Sequence, residues 1–232
     1  MRKPSPLLKF RARGPLAIYS RPEFKAERFT YLAPTHSGLR GMIEAVLWKP
    51  AIRWQVERVH LLSPIQTISF KRNEVSNKAT APAAKVLKNG GAPNHLFADD
   101  SSNRSQRNTV ALRDVDYLVE ARIHLTPRAG DGDNMTKFVE MFRRRLNRGS
   151  HFHQPYFGCR ECIAEVFEAD GTETPINDTR DLGIMLWDIE FTKDKKGENH
   201  PVFFHGNLVA GTLEYPNDPA AARESLNQLN PA

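Results

Sequence analysis

Between Asp114 and Leu125 the sequence DVDYLVEARIHL sets Val115, Tyr117, Val119, Ala121, Ile123 and Leu125 on every second position. Such an alternation fits a β-strand with one buried face, not a helix. Past the loop RAGDGDN the period changes. Phe138, Met141, Phe142 and Leu146 recur at helical spacing, which predicts a helix over about 135–148 that Gly149 stops.

The same two periods order the rest of the chain. Residues 7–13, LLKFRAR, read as a strand that breaks at Gly14-Pro15. Pro34-Thr35-His36-Ser37 opens a helix that Thr35 or Ser37 can cap, with Leu39, Ile43, Val46 and Leu47 at helical spacing. Trp48-Lys49-Pro50 ends it, because a residue before proline is pushed out of the α region. Ile52 to Leu62 is a strand whose phase shifts near Arg58, which suggests a bulge. Residues 76–108 are small and polar and read as a long excursion, partly hairpin and partly mobile.

Strand, helix, strand, insertion, strand, helix, strand is the βαββαβ order of an α+β, ferredoxin-like domain, the order RNA-recognition domains use. This unit is expected over residues 1–170, with its insertion at about 71–110. Leu182 to Phe191 and Val202 to Leu213 read as antiparallel strands joined by KDKKGEN, a small sheet subdomain over 171–216. Residues 217–232 read as a frayed tail.

Lys plus Arg outnumber Asp plus Glu by 33 to 27, a net charge of +6. That balance points to a polyanion such as nucleic acid. Cys159 and Cys162 are the only cysteines, which excludes a multi-disulfide framework. No apolar run approaches a membrane span and MRKPSPLLKF lacks an apolar signal core, so a cytoplasmic protein without membrane contact is expected. There is no phosphate-binding glycine loop, dinucleotide fingerprint or hydrolase elbow. His151, His153, Cys159 and Cys162 have zinc-ligand chemistry but poor spacing, so no metal is expected.

The cations cluster. Arg143, Arg144 and Arg145 stand on the second helix with Lys137 before them and Arg148 after, opposed by Glu140 alone. Arg72 and Asn73 precede the excursion and Arg104 and Arg107 follow it, a composition suited to a two-sided clamp on phosphates and base edges. Trp48 and Trp54 read as core, whereas Tyr156 and Phe157 can either stack on bases or pack inside.

Taken in order, Arg21-Pro22-Glu23, Lys25, Glu27-Arg28, Arg40-Gly41-Met42-Ile43-Glu44-Ala45 and Trp48-Lys49-Pro50-Ala51-Ile52-Arg53-Trp54 make a recognisable series. It continues through Arg72-Asn73-Glu74-Val75, Asn103-Arg104, Gln106-Arg107 and Arg113-Asp114-Val115-Asp116-Tyr117. It ends with Met141-Phe142-Arg143-Arg144-Arg145, Gln154-Pro155, Gly158-Cys159-Arg160-Glu161 and Arg180-Asp181-Leu182-Gly183. The series resembles the type I-C (Dvulg) crRNA-processing subunits of the CRISPR-associated repeat-associated mysterious proteins.

That resemblance implies a protein that binds the CRISPR repeat hairpin and cuts the precursor at its 3′ base without metal or other cofactor. It also implies retention of the 5′ handle and contacts with the backbone and large subunits of an effector complex, with duplex DNA contact left open. Arg160 joins the RNA-binding set on the same ground. Such cleavage needs a base, a cation for the phosphate and an acid. The family draws these from a residue before Trp-Lys-Pro, here Leu47, and from a pair opening the second helix, here Lys137-Phe138. Lys137 can carry the phosphate charge, but Leu47 and Phe138 transfer no protons. His36 is the expected substitute, with His151, His153 and Tyr31 behind it. The alternative is a non-catalytic subunit that holds the handle.

Overall fold

The computed structural model describes residues 3–24, 26–78, 86, 88–91, 96–191 and 199–227. The strands are β1 (Leu8–Ala17), β2 (Arg28–Phe29), β3 (Ile52–Leu61), β4 (Thr67–Val75), β5 (Arg104–Leu125), β6 (Glu165–Glu168), β7 (Arg180–Glu190), β8 (His200–Val209) and β9 (Thr212–Glu214). The helices used below are α1 (His36–Val46), α2 (Met135–Arg148) and α3 (Pro219–Asn227). All the strands join one sheet in the order β6-β1-β5-β3-β9-β8-β7, with β2 and β4 on β5. Pairing is antiparallel except for the short β2–β5 bridge.

The alternation read at 114–125 is the C-terminal half of β5, the strand that β1 and β3 flank. Its inward residues Tyr117, Val119, Ala121 and Ile123 are buried with Leu8, Phe10 and Ala12 of β1 and Trp54, Val56 and Val59 of β3. α2 closes this side through Phe142, whose ring lies 5.5 Å from Phe10 and 4.7 Å from Trp54. The bulge expected near Arg58 lies between Val56 and Arg58.

Gly14-Pro15 does not break β1. The ladder pairs Gly14 with Val115, passes over Pro15, whose missing N–H is not needed there, and resumes at Leu16–Arg113. Asp114, opposite the skipped residue, takes a positive φ of 50°.

The other face of the sheet carries paired charges. Lys9 and Arg58 meet Glu120 at 2.7 and 3.2 Å, Arg11 meets Asp116, and Arg122 meets Glu57. The chain leaving β6 crosses this face, and Ile176 donates a 2.9 Å hydrogen bond to the Leu61 carbonyl on the far side.

The C-terminal strands continue the same sheet, because β9 pairs with both β3 and β8. The strand expected over Val202 to Leu213 is two, divided by a turn at Ala210-Gly211, both with positive φ. The expected frayed tail gives way to α3, which Asp218 caps through the Ala221 N–H and which buries Ala222. Much of the expected mobile excursion (79–85, 87 and 92–95), most of KDKKGEN and residues 228–232 lie outside the described residues. No helix among the described residues is long and apolar enough to cross a membrane.

Candidate nucleic-acid interface

Asn134 caps α2 by accepting the Lys137 N–H at 2.9 Å, and Gly149 ends the helix in the left-handed conformation. At about 100° per residue, Lys137, Arg144 and Arg148 fall within roughly 40° of one another, one flank of the helix. Arg143 stands about 120° from Lys137 by the same arithmetic. It lines a separate hollow with Lys9, Glu168 and Glu173. Arg145 does not face outward with them: its guanidinium donates to the Val46 carbonyl at the end of α1.

The Lys137 ammonium is half-exposed and donates to Asp133 at 2.9 Å, which holds that carboxyl below its usual range. Phe138, the next residue, is in the core at 2 % exposure, and Leu47 is wholly buried. Neither side chain reaches the surface.

His36 is a core histidine. Its ring stacks on Trp187 at 4.5 Å and meets the edge of Tyr215 at 5.7 Å. Burial, with Arg40 adding to it, pushes its pKa down to about 3, so the imidazole is neutral at physiological pH. It begins α1, whereas the contact of α1 with Arg145 is at the other end, about 15 Å along the axis. The end of α1 thus meets the end of α2, and at the start of α1 His36 packs against Trp187 of β7. Tyr31 is equally enclosed, and burial raises its pKa. His151 and His153 are exposed.

The segments expected to form a clamp are instead the two strands of one hairpin. Arg72 pairs across it with Arg107, Asn73 with Gln106, and Val75 with Arg104. Strand alternation puts Arg72 and Arg107 on one face, and Asn73 and Arg104 on the other. Arg72 is engaged internally, donating to Thr109 at 2.7 Å and pairing with Glu74 at 2.6 Å.

The cations thus sort by location. Those of the sheet face meet carboxylates, whereas Arg104, Arg107, Arg143, Arg144, Arg148 and Arg160 form no ion pair with an acid among the described residues. Free guanidinium groups are the ones that can bind phosphate without first giving up a partner.

Arg160 belongs to a groove of about 710 Å³ between α1 and the loop after α2, lined by Glu44, Trp48, Phe152, His153, Gln154 and Tyr156 among others. Trp48 is not core: the chain turns outward at Leu47, and the indole is 53 % exposed, against 2 % for Trp54. The Phe152 ring is 69 % exposed, while Phe157 is fully buried. The Phe152 and His153 N–H groups both donate to the Ala45 carbonyl, which fixes the loop to α1.

Gly158–Glu161 forms a turn, closed by the Cys162 N–H donating to the Cys159 carbonyl at 2.9 Å. Of the two thiols Cys162 is buried and Cys159 half-buried. Sequence reasoning missed the groove. Tyr156 and Arg160 of its lining were read as candidates, but the sign passed over was Phe152, a large aromatic set without an apolar period in the polar run GSHFHQ.

Residues 7–211 match the Cas5d family, described as CRISPR-associated protein (Cas_Cas5). A curated relative from Thermus thermophilus, named CRISPR pre-crRNA endoribonuclease Cas5d, is 38 % identical over 224 residues, 90 % of this chain and 91 % of its own. The chain belongs to the Cas5d family. A relative of the same name from Mannheimia succiniciproducens is 36 % identical over 210 residues, 88 % of this chain and 92 % of its own. A crystal structure described as a CRISPR-associated protein superposes with a TM-score of 0.67 at 19 % identity, covering 93 % of this chain and 94 % of that one, and so shares the fold.

Within this Cas5d chain the resemblance motifs take definite places. Arg40–Ala45 lies on α1, Trp48–Trp54 forms the turn into β3, and Arg143–Arg145 lies on α2. Arg40 pairs with Asp188 of β7 at 2.7 Å and with Glu44 at 3.3 Å, so it ties α1 to the C-terminal strands.

Proposed function

We propose that this Cas5d chain is a CRISPR pre-crRNA endoribonuclease. It binds the repeat hairpin, cleaves at the hairpin's 3′ base without metal, and keeps the 5′ handle as a subunit of a cytoplasmic type I-C effector complex. The observation that carries this reading is the activity named for the relatives at 38 % and 36 % identity across about nine-tenths of the chain. The unpaired arginines support it, Arg144 and Arg148 in line with Lys137, and Arg104 and Arg107 on the hairpin. The order β6-β1-β5-β3 with α1 and α2 on one face supports the ferredoxin-like reading of residues 1–170. Backbone and large subunits, and possible duplex DNA, are the further partners of this reading.

In the reaction, a ribose 2′-oxygen attacks the adjacent phosphorus and the bond to the 5′-oxygen of the next nucleotide breaks. This leaves a 2′,3′-cyclic phosphate and a 5′-hydroxyl. Lys137, released from Asp133 by the incoming phosphate, would stabilise the charge that gathers on the phosphorane oxygens. With His36 enclosed, the exposed His151 and His153 are the imidazoles of the expected set that a bound RNA can reach.

One observation favours a second reading, a handle-binding subunit without cleavage: Leu47 and Phe138, at the family's proton-transfer positions, are both packed in the core. Incubation of pure protein with repeat RNA in EDTA separates the two. The nuclease yields fragments ending in 2′,3′-cyclic phosphate, and Lys137→Ala slows them by about 100-fold or more. Uncut RNA that nonetheless stays bound would leave only the second reading.

A further inference from the structure

We infer that the groove between α1 and the loop after α2 is a stacking site for an unpaired nucleotide of the bound RNA, with Trp48 and Phe152 as its platforms. This rests on the RNA-binding reading above and adds a place where bases, rather than phosphates, are held.

Two large rings stand open to solvent on one groove, at 53 % and 69 % exposure, while Trp54 and Trp187 are buried. Exposed aromatics gathered in a concave site mark a ligand surface rather than incidental exposure. The platform is held in place. The N–H groups of Phe152 and His153 are both fixed to Ala45, and the Phe152 and His153 rings pack edge to face at 4.4 Å. A ring that is already ordered loses little freedom when a base stacks on it.

The charges select the class of ligand. Arg160 enters the groove without an acidic partner among the described residues and suits the phosphate of a stacked nucleotide. Glu44, which Arg40 orients at 3.3 Å, offers an acceptor for an exocyclic amine. Flat apolar walls, one free cation and one fixed acceptor match a nucleotide. The opposite face of the sheet, where RNA-recognition domains stack their bases, is closed here by the Lys9–Glu120 and Arg11–Asp116 pairs. The groove sets Trp48 and Phe152 away from that charged face.

The test uses a fluorescently labelled hairpin RNA with unpaired flanks, and the same hairpin with abasic flanks, titrated with the full chain at several salt concentrations. Trp48→Ala and Phe152→Ala each weaken binding of the intact RNA by about tenfold. They leave the slope against salt unchanged, because no cation is removed. Trp48→Phe recovers most of the loss. On abasic flanks, wild type and Trp48→Ala bind alike. Undiminished binding of the intact RNA by both alanine variants overturns the stacking site, even if a protein partner is lost with them. So does an equal loss on abasic flanks. Wild-type protein that fails to bind the hairpin at all would instead overturn the RNA-binding reading beneath it.

Discussion

Arg145 of α2 donates a hydrogen bond to the main-chain carbonyl of Val46, the last residue of α1. The final carbonyls of a helix have no partner within it, and this one gains a charged donor from the neighbouring helix. Arg145 therefore does structural work, although by sequence it is the third member of a uniform cationic run.

The run should divide under mutation. Arg145→Ala strands the Val46 carbonyl and costs about 1–3 kcal/mol, read as a lower urea midpoint. Arg144→Ala combined with Arg148→Ala removes exposed, unpaired side chains and should stay within about 0.5 kcal/mol of wild type in the same measurement. The double variant should instead lower the logarithmic salt dependence of hairpin RNA binding by about 1.5, the loss of two phosphate contacts. Equal effects of the two changes on both measurements would contradict the division.

Gly158 makes a sharper structural prediction. Its φ is +77°, and a Cβ there would lie 2.0 Å from the Ile18 carbonyl oxygen, a main-chain atom that cannot swing away. Gly158→Ala therefore combines a left-handed conformation with overpacking, and should cost about 2 kcal/mol or more. The turn carries Arg160 and follows Tyr156, so the groove should be disturbed as well. Thermal melts would register the loss, and an unshifted melting temperature would mean that the turn and β1 are not in close register.

The parts of this fold legible in the sequence are those where one period runs unbroken. The alternation in β5, the apolar stripe of α2, the Thr35 cap and the bulge before Arg58 are all local signals. Gly14-Pro15 misled because its meaning depends on a partner strand whose register skips Pro15. Arg72 and Arg107 looked like opposing arms because the pairing that joins them spans a long excursion. The site was less legible than the fold. Which arginines are free depends on acids distant in sequence, as when Asp116 takes up Arg11 and Asp188 takes up Arg40. His36 looked reactive at the start of a helix, and only the packing of Trp187 and Tyr215, far along the chain, encloses it.

That enclosure has a pH signature. His36 is held neutral, with its pKa lowered to about 3 mainly by burial and then by Arg40; Arg53 adds to the lowering. Asp188 lies 3.9 Å from Nδ1 and would favour the proton, but Arg40 already occupies it at 2.7 Å. In the unfolded chain the imidazole titrates near 6.5. Below that pH the unfolded state takes up a proton that the folded state refuses, so stability is full above about 6.5 and falls as pH drops toward 3. One proton limits the slope to about 1.4 kcal/mol per pH unit. His36→Phe keeps a flat ring against Trp187 and removes the titration. The gap in unfolding free energy between wild type and variant should therefore shift in the variant's favour between pH 7 and pH 5. Parallel pH profiles for the two proteins would show that His36 takes up its proton as readily folded as unfolded, and that the stacked ring is not enclosed in solution.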